Sequence, residues 1–398
     1  MSTNLRSVIK LSSHNRIQAY ILAGSLGLFV SSANAGPFED LQPGQWYEVP
    51  NSKIRDHLPD PIPPGSTGPK AIITAWNSGA YDTKRDRLMI WGGGHNDYGG
   101  NEIYAFDIAS LSWSRIWGPS PDIPPPQTGC DPDVVTYSDG NPMVRHTYDG
   151  LDYLPVQDAF WIHGGSRYCG GGAQSSDTWI FDLESGKWQR RADLPSISVL
   201  EMVSAYDPVT GHIFVNGPAS WLSLWEYDPK SNSWTKRGGG QVLSQMTATF
   251  DFKRRLFIAV GRGTVFAYDV SSPVVTRTEL TTTGATEIVN AVYPGIEYDP
   301  VSDKLVAWKG GQAVYTLDLD TLVWSKHAGT NNVVPGSPPS TGVYNRWRYI
   351  PSKNAFITVN SIDQNVFLYR LTTGKGGALP SPVVDEIPPA AMEDLQAQ

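Results

Sequence analysis

Short apolar runs alternate with polar positions along this chain, and one arrangement of them returns six times. Tyr81-Asp82-Thr83 precedes Leu88-Met89-Ile90, Tyr153-Leu154-Pro155 precedes Phe160-Trp161-Ile162, and Tyr206-Asp207-Pro208 precedes Ile213-Phe214-Val215. Phe250-Asp251 then precedes Leu256-Phe257-Ile258, Tyr298-Asp299-Pro300 precedes Leu305-Val306-Ala307, and Tyr349-Ile350-Pro351 precedes Phe356-Ile357. Each copy reads as a strand, a turn built on Asp or Pro, and a second strand. A third, aromatic-rich strand follows, as in Ile103-Tyr104-Ala105-Phe106-Asp107 and Trp179-Ile180-Phe181-Asp182, and in four copies a Trp stands six residues after its Asp: Trp113, Trp188, Trp234 and Trp324. Four strands per unit at this period predict the blades of an all-β propeller.

The six aromatic markers are spaced 72, 53, 44, 48 and 51 residues apart. The first interval carries a Pro-rich insertion with Pro119, Pro121, Pro124, Pro125, Pro126 and Pro132, too short for a whole blade. The last unit, ending at Tyr369-Arg370, lacks an outer strand, and the segment Gln45-Trp46-Tyr47-Glu48-Val49 lacks strands before it. Joining the two closes a ring of six blades and removes the exposed edges of an open array. Seven blades is the alternative, if segments around 119–140 or after 372 supply further strands.

Arg6, Lys10 and Arg16 ahead of an apolar stretch at 19–30, then Ala33-Asn34-Ala35, read as a signal peptide over 1–35. The alternative is a membrane anchor. The mature domain is expected over 36–373, secreted or periplasmic and free of the membrane once the signal is cleaved, with a poorly ordered tail over 374–398. In an oxidising compartment the only two cysteines, Cys130 and Cys169, are expected to pair as a disulfide. A metal site with His146 and His163 is the other reading.

Composition narrows the function. Gly 39 and Pro 31 disfavour long helices, while Trp 14, Tyr 18 and 40% hydrophobic residues exclude global disorder. A net charge of −8 argues against nucleic acid as partner, so an anionic ligand needs a local basic pocket. The loops of the first two units supply one. Gly92-Gly93-Gly94-His95-Asn96-Asp97-Tyr98-Gly99-Gly100-Asn101 and Gly164-Gly165-Ser166-Arg167-Tyr168-Cys169-Gly170 are expected on one rim. There they would meet Arg145, His146 and Tyr148, read as the start of the second unit's innermost strand, and Tyr344, Asn345 and Arg346 from the sixth. His163, on a strand, reads as a core residue.

A His, a Tyr and an Arg without an evident carboxylate pair suit β-elimination on a uronic acid better than glycoside hydrolysis. Elimination needs the sugar carboxylate neutralised, a base for the C5 proton and an acid for the leaving oxygen at C4. No cofactor is required; whether an ion fills the axis stays open. The double Gly at Gly92-Gly93 and Gly164-Gly165, with the spaced Tyr and Trp, resembles kelch repeats, and later units lose the double Gly. The Gly-Gly-Gly-His-Asn-Asp-Tyr-Gly-Gly-Asn-Glu loop, the Arg-His-Thr-Tyr strand and the Gly-Gly-Ser-Arg loop are similar to those of secreted propeller polysaccharide lyases of the ulvan lyase type. The resemblance covers the first two units and implies an anionic polysaccharide substrate. It further implies His95 as carboxylate neutraliser or proton shuttle, Tyr148 as base and acid, Arg167 as carboxylate clamp and His146 in support. Arg145, Asn96, Tyr98, Tyr168, Asn345 and Arg346 are candidate substrate contacts. The insertion after Trp117 departs from that family, as does the count of six, since its members are expected to have seven blades. Rival readings are a non-catalytic kelch module that binds a glycan or a protein, and a propeller glycosidase. A copper-radical oxidase is disfavoured, because its Tyr–Cys cross-link would compete for the two cysteines.

Overall fold

Turn chemistry explains the repeat. In a computed structural model that describes residues 36–127, 129, 131, 133–170, 172–195, 200–219 and 223–382, the marker Asp caps the first hairpin of its unit. Asp82 Oδ1 accepts the N–H groups of Lys84 and Arg85 at 3.1 Å, and Asp251 Oδ1 those of Lys253 and Arg254 at 2.9 and 3.0 Å. Such Asx turns let a side chain stand in for backbone pairing. The marker Tyr closes the same hairpin from its strand. Tyr81, Tyr153 and Tyr298 donate to Asp86, Asp158 and Asp303 at 3.3, 2.9 and 2.7 Å, and Tyr349 donates to Asn354 at 3.0 Å. All four acceptors have left-handed φ between 46° and 56°, a conformation that Asp and Asn tolerate.

Six four-stranded antiparallel repeats follow from these hairpins among the described residues. The first comprises Gly79–Asp82, Arg87–Ile90, Ile103–Asp107 and Ser112–Trp117; the second Leu151–Leu154, Ala159–His163, Thr178–Asp182 and Lys187–Arg191. The third holds Val203–Tyr206, Ile213–Asn216, Leu224–Asp228 and Ser233–Gly238; the fourth Thr247–Asp251, Leu256–Gly261, Thr264–Asp269 and Thr276–Glu279. The fifth runs Gly295–Asp299, Lys304–Trp308, Val314–Asp318 and Val323–His327, with a short parallel strand, Thr283–Gly284, added at its edge. The sixth has Arg348–Ile350, Ala355–Thr358 and Phe367–Tyr369, and its fourth strand is Trp46–Glu48 from the other end of the chain, with Trp46 opposite Tyr369. Innermost strands of successive sheets touch, and that of the sixth touches that of the first.

Apolar residues fill the spaces between sheets. On the outer strands Trp113, Trp188, Trp234 and Trp324 lie opposite Phe106, Phe181, Tyr227 and Leu317. Ion pairs tie neighbouring hairpins, with Arg85 on Asp158 at 2.7 Å and Arg254 on Asp303 at 2.8 Å.

One expectation needs correction. The innermost strand of the second sheet begins at Leu151, and Arg145–His146 instead joins Ser166–Arg167 and Ala173–Gln174 in a separate three-stranded sheet. One strand follows the insertion directly, and the other two come from the loop between the second and third strands of the second repeat. Described residues of 119–140 contribute only the isolated bridge Thr136–Pro142, and no strand follows 372 among them. The proposed signal segment 1–35, Cys130 and the end of the tail lie outside the described residues, and the Cys130–Cys169 pairing with them.

Candidate functional site

Each innermost strand is entered through a residue in the left-handed region: Trp76, Tyr148, Glu201, Gln245, Tyr293 and Tyr344, with φ of 51°, 47°, 53°, 67°, 48° and 52°. For bulky side chains this conformation is costly and must be held by its surroundings. Backbone bonds between repeats hold it here. Tyr148 N–H donates to the Trp76 carbonyl at 2.7 Å, Tyr293 N–H to Gln245 at 3.0 Å and Tyr344 N–H to Tyr293 at 3.2 Å. Tyr148, Tyr293 and Tyr344 form one buried cluster, the last two stacked with ring centroids 4.5 Å apart, although they come from the second, fifth and sixth repeats. They therefore meet across the axis. Glu201 stands beside them, and among the described residues its Oε2 is buried without a hydrogen-bond partner.

The His95 loop is folded onto this rim. Gly94-His95-Asn96-Asp97 makes a tight turn in which Asp97 N–H donates to the Gly94 carbonyl at 2.7 Å. His95 and Asn96 have φ of 44° and 65°, the two left-handed positions of a type I′ turn. Gly94 has φ +73°, and a Cβ there would lie 2.3 Å from the His146 backbone nitrogen, so glycine alone lets the loop press on Arg145–His146. Gly93 N–H bonds the Arg145 carbonyl at 3.1 Å and His95 N–H the Arg167 carbonyl at 3.0 Å.

That placement makes a dyad. Asp97 Oδ2 lies 2.9 Å from His146 Nε2, while Asp97 Oδ1 also accepts the Thr67 hydroxyl. His146 is 2% exposed and packs its ring 5.2 Å from Trp76, 5.3 Å from His95 and 6.3 Å from Tyr148. Burial pushes the His146 imidazole below its ordinary range, against the pull of Asp97. Burial raises the Asp97 carboxyl, but the bonds from His146 and Thr67 outweigh it, and the carboxyl lies below its ordinary range. The consequence is a neutral imidazole whose Nε2–H points to a carboxylate and whose Nδ1 keeps its lone pair. Tyr148 is held well above the ordinary phenol range, chiefly by burial and then by Glu201, so it stays protonated. His95 is exposed at the tip of its turn, and Trp76 offers an indole that is 36% exposed.

The expected cationic contacts behave differently. Arg145 is fully buried and bidentate on Asp177, 3.0 Å from each oxygen, so its charge is spent inside the fold. Arg346 is fully buried and donates to the carbonyls of Asn77, Gly342 and Val359; burial lowers it to about 10. Arg167, 1% exposed, donates to the carbonyls of Val134 and Gln174 and braces the insertion. Tyr98 is fully buried against Glu102, Tyr168 reaches the Pro64 carbonyl at 3.3 Å from a 3% exposed position, and Asn345 is 1% exposed. Arg145, Arg346, Tyr98, Tyr168 and Asn345, expected as substrate contacts, and Arg167, expected as the carboxylate clamp, are turned into the protein. The Asn96 side-chain amide donates to the Gln127 carbonyl at 2.6 Å and accepts the Gln127 N–H at 3.2 Å, which pins the insertion to the turn. Cys169 is 3% exposed, and His163 is fully buried, bonded through Nδ1 to Thr178 at 2.8 Å.

The structure thus brings His95, His146 and Tyr148 together and adds Asp97, Trp76 and Glu201, which the sequence reading did not single out. Asp97 had a signal, its place two residues after His95 in the same loop. Trp76 and Glu201 share only the position just before an innermost strand, where Tyr148, Tyr293 and Tyr344 also stand. Neither a known protein family nor a curated protein matches this chain.

Proposed function

We propose that this protein is an exported polysaccharide lyase that cleaves next to a uronic acid by β-elimination, on a kelch-like propeller of six blades closed by the N-terminal strand. The reading is supported above all by the Asp97–His146 pair beside the Tyr148 hydroxyl: a neutral base and a protonated acid within one sugar ring of each other. His146 Nδ1 takes the C5 proton, the C4–O bond breaks as the C4–C5 double bond forms, and the Tyr148 hydroxyl donates its proton to the leaving oxygen. Asp97 fixes the tautomer and stabilises the imidazolium that results. His95, exposed at the turn tip, is assigned to the uronate carboxylate, and Trp76 to stacking against a sugar face. Relative to the family it resembles, the base moves from Tyr148 to His146, because burial keeps the phenol protonated.

A Cys130–Cys169 disulfide, the pairing expected in an oxidising compartment, would hold the Pro-rich insertion to this rim. A second reading, glycan binding without cleavage, is favoured by one observation, that Arg145 and Arg346 are committed to internal partners. The two readings separate on ultraviolet absorbance with uronate polymers, since elimination creates a conjugated double bond and binding does not.

A further inference from the structure

The opposite end of the axis carries a second feature that the proposed reaction does not use. A cavity of about 100 Å³ is walled by all six innermost strands, through Tyr81, Tyr153, Tyr206, Phe250, Tyr298 and Tyr349. Deeper along the same strands, Asp152, Glu297 and Arg348 line it. Arg348 bonds Glu297 at 2.8 Å and lies 3.6 Å from Asp152. Asp149 stands behind the wall, fully buried, with Oδ2 accepting the N–H of Ala248, itself a lining residue. Its Oδ1 is buried and has no hydrogen-bond partner among the described residues, and neither has the Tyr206 hydroxyl. Two carboxylates, Asp152 and Glu297, therefore face one guanidinium in a space ringed by aromatic side chains. No group of three or more His, Cys, Asp or Glu among the described residues is arranged to hold a metal ion.

The mouth of this cavity is crossed by the chain's own tail. Gly376 packs on the Pro351 carbonyl of the sixth repeat, and Pro382 on Gly211 of the third, on the far side of the ring. Midway between them Leu379 enters the cavity lining. Gly376, Leu379 and Pro382 are partly buried while Gly377, Ala378, Pro380 and Ser381 are exposed, so the segment touches the ring at every third residue. A Gly-rich lead at Gly374, Gly376 and Gly377 gives it freedom to lift.

We infer that this cavity is a binding site for a small organic cation of the alkylammonium class, and that the tail segment around Leu379 is its lid. Aromatic faces attract a quaternary or alkylated ammonium, and the unbalanced carboxylates at the floor set its sign. The apolar stopper shows that the mouth accepts a branched alkyl group, which is the body such a ligand presents.

The test measures, by calorimetry, binding of tetramethylammonium and of 3,3-dimethyl-1-butanol, whose uncharged tert-butyl group has the shape of a trimethylammonium head, on residues 36–398 and on two lid variants. Leu379→Ser in the full chain, and a chain ending at Gly374, are expected to bind tetramethylammonium at least tenfold more tightly than the parent. Asp152→Asn on the Leu379→Ser background is expected to lose that gain, and the alcohol to bind none of them. Absence of tetramethylammonium binding by folded Leu379→Ser protein overturns the inference. So does equal binding of the alcohol, or binding unchanged by Asp152→Asn. Should the shortened chain fail to fold, Leu379→Ser alone decides.

Discussion

At the residue scale the proposed chemistry rests on one imidazole. His146 is buried and its ring nitrogens are distinguished by Asp97, so removing either group changes protonation more than shape. His146→Asn is expected to lower kcat by roughly 10²–10⁴-fold with little change in KM, the usual scale for loss of a positioned general base. Asp97→Asn should cost on the order of 10⁴-fold by releasing the tautomer. Steady-state kinetics on the responsive polymer checks both. The pH dependence has a definite sign. An imidazole held below its ordinary range is neutral at pH 7, so kcat/KM should be flat there and fall only below about pH 6.5, as His146 takes a proton. That His95, His146 and Tyr148 would lie together on one rim was legible from loop position. Arg145 and Arg346 misled the sequence reading because a guanidinium announces charge but not its partner: Asp177 lies 32 residues from Arg145, and Arg346 is held by carbonyls.

At the element scale, the decisive piece is the turn carrying His95. Its two left-handed residues and Gly94 against the His146 backbone are a local geometry that a one-residue change can break. Gly94→Ala is expected to destabilise the protein by about 2–4 kcal/mol and to abolish activity, because both the left-handed φ and the close approach oppose a Cβ. Thermal unfolding and activity together check this. A control at Gly140, also left-handed at φ +81° but with open space around it, should leave activity intact. The repeat itself was readable, because Asp caps and Tyr–Asp closures are local in sequence. The Arg145–His146 ladder was not, since its partners, Ser166–Arg167 and Ala173–Gln174, depend on how a Pro-rich insertion returns to the rim. The left-handed rim residues were equally silent, because nothing in Trp or Tyr as a residue type announces positive φ.

At the scale of the whole molecule, Arg348 is the hub of the ring. It bonds the Gly79 and Leu151 carbonyls and Glu297, joining the first, second and fifth repeats to its own. Arg348→Met is expected to cost about 3–5 kcal/mol, since it strands Glu297 and Asp152 as buried charges. Denaturant unfolding reads that loss directly. Asp149 and Asp152 both titrate above the ordinary carboxylate range, chiefly because they are buried, Asp152 at about 6. For an acid with a raised folded pKa, stability is complete in acid and is lost as pH rises from the unfolded value near 3.9. Asp149→Asn should therefore raise Tm at pH 7, and the gain should vanish near pH 4. Fold class and the N-terminal strand that completes the last sheet were readable from the spacing of six markers. The charged axis was not, because Asp152, Glu297 and Arg348 sit one place before those markers in three different repeats and pair only through the ring.

The most direct test is ultraviolet absorbance of residues 36–398, prepared without reductant, over a panel of uronate-containing polysaccharides. A steady rise on one polymer, lost in both His146→Asn and Tyr148→Phe while their folding and polymer binding persist, is the predicted result. No rise on any polymer, or a rise unaffected by His146→Asn, contradicts it.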